Sequence, residues 1–124
     1  MTQRRILIVE DERLQAVSLR RMLERLGYEV PALADSAEAA LQMSRQTKPD
    51  LVLMDIKLEG RTDGVDAALM IMRECSIPTV FITGNTDSGT YQRAMEARPL
   101  GYLEKPIDPA LLRATLREIF EGPI

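Results

Sequence analysis

The chain has 124 residues, enough for one hydrophobic core and too few for two ordinary domains, so we expect a single domain over residues 1–124. Its net charge of −3 argues against electrostatic binding of nucleic acid, and the lack of histidine excludes histidine triads and histidine-ligated zinc. No signal-peptide pattern or membrane-spanning apolar run is found, and the single cysteine suits a reducing compartment, so we expect a cytoplasmic protein with no membrane partner.

The first third of the chain predicts two strands and one helix. Ile6–Val9 is an unbroken aliphatic run, which is typical of a strand buried on both faces. Apolar residues recur at helical spacing from 14 to 26, and Gly27 marks the end of that helix. Residues 28–33 form a weaker strand pattern. Because Pro31 cannot donate a ladder hydrogen bond, it predicts a strand at the edge of a sheet.

The middle of the chain predicts a helix followed by a third strand. Asp35 and Glu38 match a capping box at the start of a helix that extends to about Thr47. Residues 51–54 are again continuously apolar, and Asp55 follows them directly. This run is therefore a second candidate for a strand buried on both faces.

The second half of the chain predicts three more helices and two more strands. The helix before the fifth strand is weak and polar, whereas Asp108 caps the last helix with Pro109 at its first position. In chain order these elements are a helix around 65–72, a strand at 79–82, a helix at 88–97, a strand at 100–103 and a helix that ends near 120. Five strands thus alternate with five helices. This pattern predicts an α/β fold in which helices cover both faces of an open, parallel, doubly wound sheet.

Chemically active side chains follow several of the predicted strands. In open parallel sheets, ligands bind beyond the carboxyl ends of the strands. Glu10, Asp11, Asp55, Thr83 and Lys105 would converge there if the first and third strands are neighbours. Carboxylates gathered in one crevice repel one another, and a hard divalent cation such as Mg²⁺ relieves that repulsion through oxygen ligands. The sequence therefore indicates a magnesium site at this edge.

Ordinary structural roles are the alternative for each of these residues. The two acids after the first strand could simply cap the first helix, although this does not explain a third acid, Asp55, at the end of another buried strand. Lys105 could be a solvated surface charge, Thr83 a β-branched strand residue and Tyr102 an amphipathic residue at a strand edge. Position alone leaves these alternatives open.

Four segments together match the pattern of a known family and cover nearly the whole chain: 6–12 (ILIVEDE), 50–55 (DLVLMD), 78–84 (PTVFITG) and 101–106 (GYLEKP). In their order and spacing they resemble the receiver domains of bacterial two-component response regulators. The resemblance, which extends to the chemotaxis regulators of the family, implies a flavodoxin-like sheet of five parallel strands in the order 2-1-3-4-5 with five helices.

The resemblance also implies a phosphorylation site that depends on Mg²⁺. Asp55 would be the phosphoacceptor and would become 4-aspartylphosphate. Glu10 and Asp11 would hold Mg²⁺ together with Asp55 and the backbone carbonyl of Lys57. The phosphoryl group would come from a sensor histidine kinase or a phosphotransfer protein.

The same resemblance implies a switch next to the phosphorylation site. Thr83 and Lys105 would each bind a phosphoryl oxygen, and the Lys105–Pro106 peptide bond is expected to be cis. A phosphoryl group would pull the Thr83 hydroxyl inward, and Tyr102 would fill the vacated space. The face formed by helix four, strand five and helix five would then change shape, which would affect a downstream protein target, an attached output domain or a homodimer formed through this face.

Two parts of the chain depart from the family pattern. Lys57 stands where many members have a neutral residue, and Asn85 lies two residues after Thr83, so we predict that Lys57 and Asn85 influence the lifetime of the phosphoryl bond. Arg98 and Pro99 replace the small Gly-Ala pair that is usual before the fifth strand. Proline predicts an extended conformation for Arg98.

Other functions fit the sequence less well. The resemblance describes a signalling switch rather than an enzyme, and a phosphohydrolase would commonly carry a second acid where this chain has Lys57. The acids at 10–12 would repel the phosphate of a flavin cofactor unless a cation intervened. A receiver-like interaction module that is never phosphorylated remains the alternative. No basic patch or recognition-helix motif predicts direct binding of nucleic acid.

Overall fold

The computed structural model describes residues 3–58, 60, 62–84 and 87–122. Within these residues five strands alternate with five helices, as the sequence predicts. The strands are β1 Ile6–Val9, β2 Leu33–Ala34, β3 Leu51–Asp55, β4 Thr79–Thr83 and β5 Gly101–Glu104. The helices are α1 Arg13–Arg25, α2 Ala37–Thr47, α3 Gly64–Cys75, α4 Ser88–Glu96 and α5 Pro109–Glu121.

The five described strands form one parallel sheet in the order β2-β1-β3-β4-β5, which confirms the doubly wound fold. Every residue of β1, β3 and β4 is buried, because α2, α3 and α4 cover one face of the sheet and α1 and α5 cover the other. The core is aliphatic apart from a fully buried Phe81. No helix of the described residues has both the length and the apolar composition needed to cross a membrane.

The second strand is shorter than predicted and begins later. The pattern predicts pairing from residue 28, whereas the ladder with β1 comprises only the two residues of β2, preceded by a single bridge between Arg5 and Glu29. Pro31 lies between the bridge and the ladder. Because proline has no N–H to donate, the pairing is interrupted there. The predicted edge position of this strand is confirmed.

The second helix is capped by a different residue from the one predicted. Ser36, not Asp35, is the N-cap, and its hydroxyl accepts a hydrogen bond from the N–H of Ala39 at 3.1 Å. Ser36 has the extended backbone that an N-cap requires, with φ −154° and ψ 167°. Serine and aspartate are almost equally good N-caps, so residue type alone could not separate these neighbours.

The turn after α4 also differs from its prediction. The proline pattern predicts an extended Arg98, and this is wrong: Arg98 has a φ of 51°, in the left-handed region. Its N–H donates to the carbonyl of Met95 at 3.0 Å. Arg98 thus takes the conformation that glycine commonly supplies at the end of a helix, and the need to satisfy the last helical carbonyls outweighs the preference imposed by Pro99.

The strand register brings the ends of the central strands to one edge of the sheet. The last residue of β1 is paired with Met54, Asp55 is paired with Ile82, and Thr83 is paired with Glu104. Consequently the residues that end or follow β1, β3, β4 and β5 surround a common crevice. This is the edge at which the sequence predicts a site.

Candidate phosphorylation and metal site

Three carboxylates meet at this edge of the sheet. Glu10 and Asp11 follow β1 and Asp55 ends β3, and β1 and β3 are neighbours. One carboxylate oxygen from each acid lies within 4.8 Å of the other two. Asp55 is only 5% exposed and Glu10 7%, whereas Asp11 is half-buried. Acids this close and this buried require a positive charge beside them.

Lys105 supplies one such charge. Its ammonium lies 2.8 Å from Oε1 of Glu10 and 3.1 Å from Oδ2 of Asp55, so it bridges the two buried acids. The backbone N–H of Lys105 donates to the carbonyl of Thr83 at 2.8 Å, which fixes the chain leaving β5 against the end of β4. The Lys105–Pro106 peptide bond is cis, as predicted.

The capping alternative explains only part of these contacts. Glu10 does accept a hydrogen bond from the N–H of Glu12, the N-cap of α1, at 3.1 Å. Glu12 itself makes no side-chain capping bond. Neither observation accounts for the ammonium of Lys105 between Glu10 and Asp55, so helix capping does not explain the cluster.

The two buried acids differ in their affinity for protons. Burial and the neighbouring carboxylate of Glu10 together raise the pKa of Asp55 to about 6, against the opposing effect of Lys105. Burial also raises the pKa of Glu10, but hydrogen bonds from Lys105 and from the N–H of Glu12 outweigh it, so the pKa lies below its usual value. Lys105 is the counter-charge that both acids share.

Thr83 and Tyr102 connect this crevice to the outer surface. Thr83 is 1% exposed at the end of β4, and its side chain interacts with that of Tyr102 on β5, which lowers the pKa of Tyr102 against the larger, raising effect of burial. The ring of Tyr102 meets the ring of Tyr91 on α4 edge to face, with centroids 5.1 Å apart. Tyr91 is 47% exposed. A contact path therefore leads from the crevice to the exposed side of α4.

Lys57 borders the crevice on its open side. Its backbone N–H donates to Oδ1 of Asp55 at 3.2 Å, and the residue is exposed. The N–H thus orients the Asp55 carboxylate while the side chain extends into solvent. Asn85, which the sequence pairs with Lys57 as a determinant of phosphoryl lifetime, lies outside the described residues.

Gly64 is a site residue that the sequence analysis did not single out. Its N–H donates to the carbonyl of Ile56 at 2.8 Å, and a Cβ built on it would lie 2.1 Å from the carbonyl oxygen of Asp55. The start of α3 is therefore packed directly on the backbone of Asp55. The signal in the sequence is a glycine immediately after a capping residue, Asp63, in a helix where glycine is unfavourable.

The donor set of the crevice fits Mg²⁺. All candidate ligand atoms are carboxylate or carbonyl oxygens, which hard cations prefer. Oxygens bound to one octahedral Mg²⁺ are roughly 3–4 Å apart, so separations of up to 4.8 Å between Glu10, Asp11 and Asp55 close by small side-chain rotations. The negative charge of the three acids also suits a divalent cation, because Lys105 neutralises only one of them.

Comparison with known proteins decides the family. Residues 6–117 match the family described as the response regulator receiver domain. The chain belongs to this family. As a receiver domain it has the fold of signalling switches in two-component systems, and receiver domains of this kind bind Mg²⁺ at an acidic pocket such as the one described above.

Two curated relatives illustrate the family. The transcriptional regulatory protein PdtaR of Mycobacterium tuberculosis is 40% identical over 103 residues, which make up 83% of this chain and 50% of that protein. The DNA-binding response regulator MtrA of Mycolicibacterium paratuberculosis is 31% identical over an alignment that covers 98% of this chain and 55% of that protein. The receiver domain spans about half the length of the curated relatives that it matches.

Solved structures agree with the fold. A signal receiver domain of a modulated diguanylate cyclase from Desulfovibrio desulfuricans G20 has a TM-score of 0.90 and 39% identity, covering 97% of this chain and 95% of that one. A CheY-like receiver domain protein from Methanospirillum hungatei JF-1 has a TM-score of 0.88 and 26% identity, with coverage of 97% and 95%. Both are similar to this chain over nearly their full length.

Replacing Lys105 with Met is expected to tighten Mg²⁺ binding. In the native protein the ion must compete with the ammonium for Glu10 and Asp55, and methionine keeps the length of the side chain without its charge. A charge-assisted hydrogen bond contributes about 1.5 kcal/mol at the lower end of its range, which corresponds to roughly tenfold in affinity. Titration with Mg²⁺ by calorimetry measures the change; an affinity equal to or below that of the native protein would contradict it.

Proposed function

We propose that this receiver domain accepts a phosphoryl group on Asp55 and switches a protein-binding surface in response. The observation that carries the proposal is the position of Asp55: it is buried, it lies 3.1 Å from the ammonium of Lys105, and it shares its crevice with two further acids. An ionised carboxylate is already a nucleophile and needs no general base. A chain without histidine can therefore support this chemistry.

The proposed reaction is phosphoryl transfer from a phosphohistidine of a sensor kinase or phosphotransfer protein. An oxygen of Asp55 forms a bond to phosphorus while the bond from phosphorus to the imidazole nitrogen breaks in line, and that nitrogen keeps the electron pair. Lys105 pairs with one phosphoryl oxygen and the Thr83 hydroxyl bonds another. The three acids and the backbone carbonyl of Lys57 would hold Mg²⁺, which would supply further positive charge to the phosphoryl oxygens.

The surface beside Asp55 supports the proposed docking of a phosphodonor. A cleft of about 570 Å³ opens next to Asp55 and Lys105 and is lined along α1 by apolar side chains, including Leu19 and Met22. Leu14, on the rim of this cleft, is 86% exposed. A partner helix that carries a histidine could cover these apolar groups while it presents its phosphoryl group to Asp55.

The proposed output depends on an exchange of hydrogen bonds by Thr83. Its side chain interacts with that of Tyr102, and a phosphoryl group on Asp55 would offer it a charged acceptor instead. Tyr102 packs on Tyr91, so the change would reach the face made by α4, β5 and α5. We propose that a protein target, an attached output domain or a second copy of the chain responds at this face.

Residues 1–124 are proposed to act as one receiver domain in the cytoplasm, as a switch that catalyses nothing beyond its own phosphorylation and dephosphorylation. Incubation with acetyl phosphate, with and without Mg²⁺, tests this function. We expect an acid-labile adduct of one phosphoryl group by mass spectrometry that requires Mg²⁺ and is lost in Asp55→Asn. If the native protein forms no adduct, the alternative of an unphosphorylated interaction module replaces this proposal. If Asp55→Asn forms the same adduct, Asp55 is not the phosphoacceptor.

Replacing Lys57 with Ala is expected to shorten the life of the phosphoryl group. The exposed side chain of Lys57 borders the path that water must take to the phosphorus, and alanine opens that path. We expect hydrolysis to accelerate roughly threefold, about 0.7 kcal/mol in activation free energy. Loss of labelled phosphate over time measures the rate. Lys57→Met is the control, because it keeps the bulk without the charge; a rate in Lys57→Ala equal to the native rate would disprove shielding.

A further inference from the structure

Few buried apolar side chains hold α4 against the rest of the domain. Among the nine described residues of α4, Ala94 is the one that is buried, and the remaining surface is largely polar. Met95, which is partly buried, also packs against the core, and Tyr91 adds the edge-to-face contact with Tyr102. A helix with so little apolar anchoring depends on its polar contacts for its position, so these contacts decide how it responds to changes at the crevice.

Arg93 makes the main polar contact of α4 with another element. Its Nη2 donates a hydrogen bond to Oδ1 of Asp63 at 2.7 Å, and its Nη1 lies 2.6 Å from Oδ2 of the same carboxylate. Nη2 also lies 3.4 Å from Oδ2 of Asp66. A bidentate pair fixes direction as well as distance, which a single ion pair does not. Partial burial raises the pKa of Asp63, but bonds from Arg93 and from the N–H of Asp66 outweigh it and hold that pKa below its usual value.

Asp63 is next to the residue that contacts the phosphoacceptor. It is the N-cap of α3, where its carboxylate also accepts the N–H of Asp66 at 3.1 Å. Gly64 follows it, and Gly64 is packed on the backbone of Asp55 and bonded to the carbonyl of Ile56. Arg93 therefore contacts Asp63, the residue directly before the glycine that packs on the backbone of Asp55.

We infer that Arg93 is a positioning residue that couples α4 to the phosphoacceptor through Asp63 and Gly64. This coupling path is separate from the path through Thr83 and Tyr102, and it enters α4 at a different residue. It joins the backbone that carries Asp55 to α4 through an ion pair and the N-cap of α3, so a displacement at one end of the path changes the free energy of the conformation at the other. The inference rests on the proposed function, because it concerns the response to a phosphoryl group on Asp55.

The test measures how α4 responds to a stable mimic of the phosphoryl group. Amide hydrogen exchange of α4 is recorded with Mg²⁺ alone and with Mg²⁺ and beryllofluoride, and the ratio of the two rates is the response. Arg93→Ala removes the ion pair with Asp63. Asp63→Asn removes its charge but keeps a good N-cap, which guards against a loss of folding. Arg117→Ala is the matched control, because it breaks an ion pair with Glu121 that lies within α5.

The coupling predicts a specific pattern. The response is expected to fall by about fivefold in Arg93→Ala and in Asp63→Asn, with no further fall in the double variant, and to stay unchanged in Arg117→Ala. Arg93→Lys restores part of it. An ion pair that only stabilises the fold would change both exchange rates equally and leave their ratio unaltered.

Two results would overturn the inference, and they are distinguishable. A response in Arg93→Ala equal to that of Arg117→Ala, with the beryllofluoride adduct formed in both, refutes the coupling and leaves the proposed function intact. Failure of the native protein to form any adduct by ¹⁹F NMR refutes the proposed function, and the coupling with it.

Discussion

The Asp55→Asn protein is expected to be more stable than the native protein at pH 7.5 when no divalent cation is present. Burial, aided by Glu10, raises the pKa of Asp55 from 3.8 to about 6, so the folded state holds its ionised form at a cost. A shift of this size corresponds to at most about 3 kcal/mol, and asparagine has the same shape without the charge. We expect a gain of about 1–3 kcal/mol in the free energy of unfolding.

The sign of the pH dependence follows from the direction of the shift. Since the folded pKa of Asp55 lies above the unfolded one, the folded state binds the proton more tightly, and unfolding between these values releases it. The cost from Asp55 is therefore complete above about pH 6 and disappears as the pH falls toward 4. The advantage of Asp55→Asn should shrink over the same window.

Urea unfolding at pH 7.5, 6 and 5 in the presence of a chelator measures both effects. Asp35→Asn is the control, because Asp35 is an exposed acid on the same chain. Saturating Mg²⁺ should reverse the order at pH 7.5, since the ion stabilises only the protein that keeps all its ligands. If Asp55→Asn is the less stable protein at pH 7.5 without metal, the electrostatic account of this crevice is wrong.

The fold was predictable because its signals are local and repeated. The side chains of continuous aliphatic runs such as 6–9 and 51–54 are buried only where helices cover both faces of a sheet. Such runs therefore predict the covering helices as well as the strands. Acids directly after such runs lie at the carboxyl edge by geometry alone. This is why the sequence alone predicts that Glu10 and Asp55 lie close together, as they do in the structure.

The errors fall where local signals compete or where the contact is distant. Ser36 and Asp35 are equivalent as caps, and Arg98 takes a left-handed conformation that proline in the next position disfavours. In both cases the hydrogen bonds of the helix ends decide. The pairing of Arg93 with Asp63 crosses thirty positions of the chain, and nothing in the sequence around either residue marks it.

Replacing Gly64 with Ala is expected to be strongly destabilising. The added Cβ would lie 2.1 Å from the carbonyl oxygen of Asp55 and 2.8 Å from Cα of Ile56. Both contacts are with backbone, which cannot rotate away as a side chain can, so either α3 or the end of β3 has to move. We expect a loss of about 3 kcal/mol or more in the free energy of unfolding, at the upper end of the cost of overpacking.

The same change should lower the affinity of the site for Mg²⁺ more than the loss of folding stability alone would. Moving the end of β3 displaces Asp55 from Lys105 and from the other two acids, so Mg²⁺ affinity should fall even at temperatures where the variant is folded. Gly89→Ala in α4 is the matched control. Its Cβ would meet only the side chain of Asp87, at 3.4 Å, and alanine is the better helix former by about 0.5–1 kcal/mol. The two glycine substitutions should therefore shift the urea midpoint in opposite directions. A Gly64→Ala protein with native stability and native Mg²⁺ affinity would show that α3 is not packed on the backbone of Asp55.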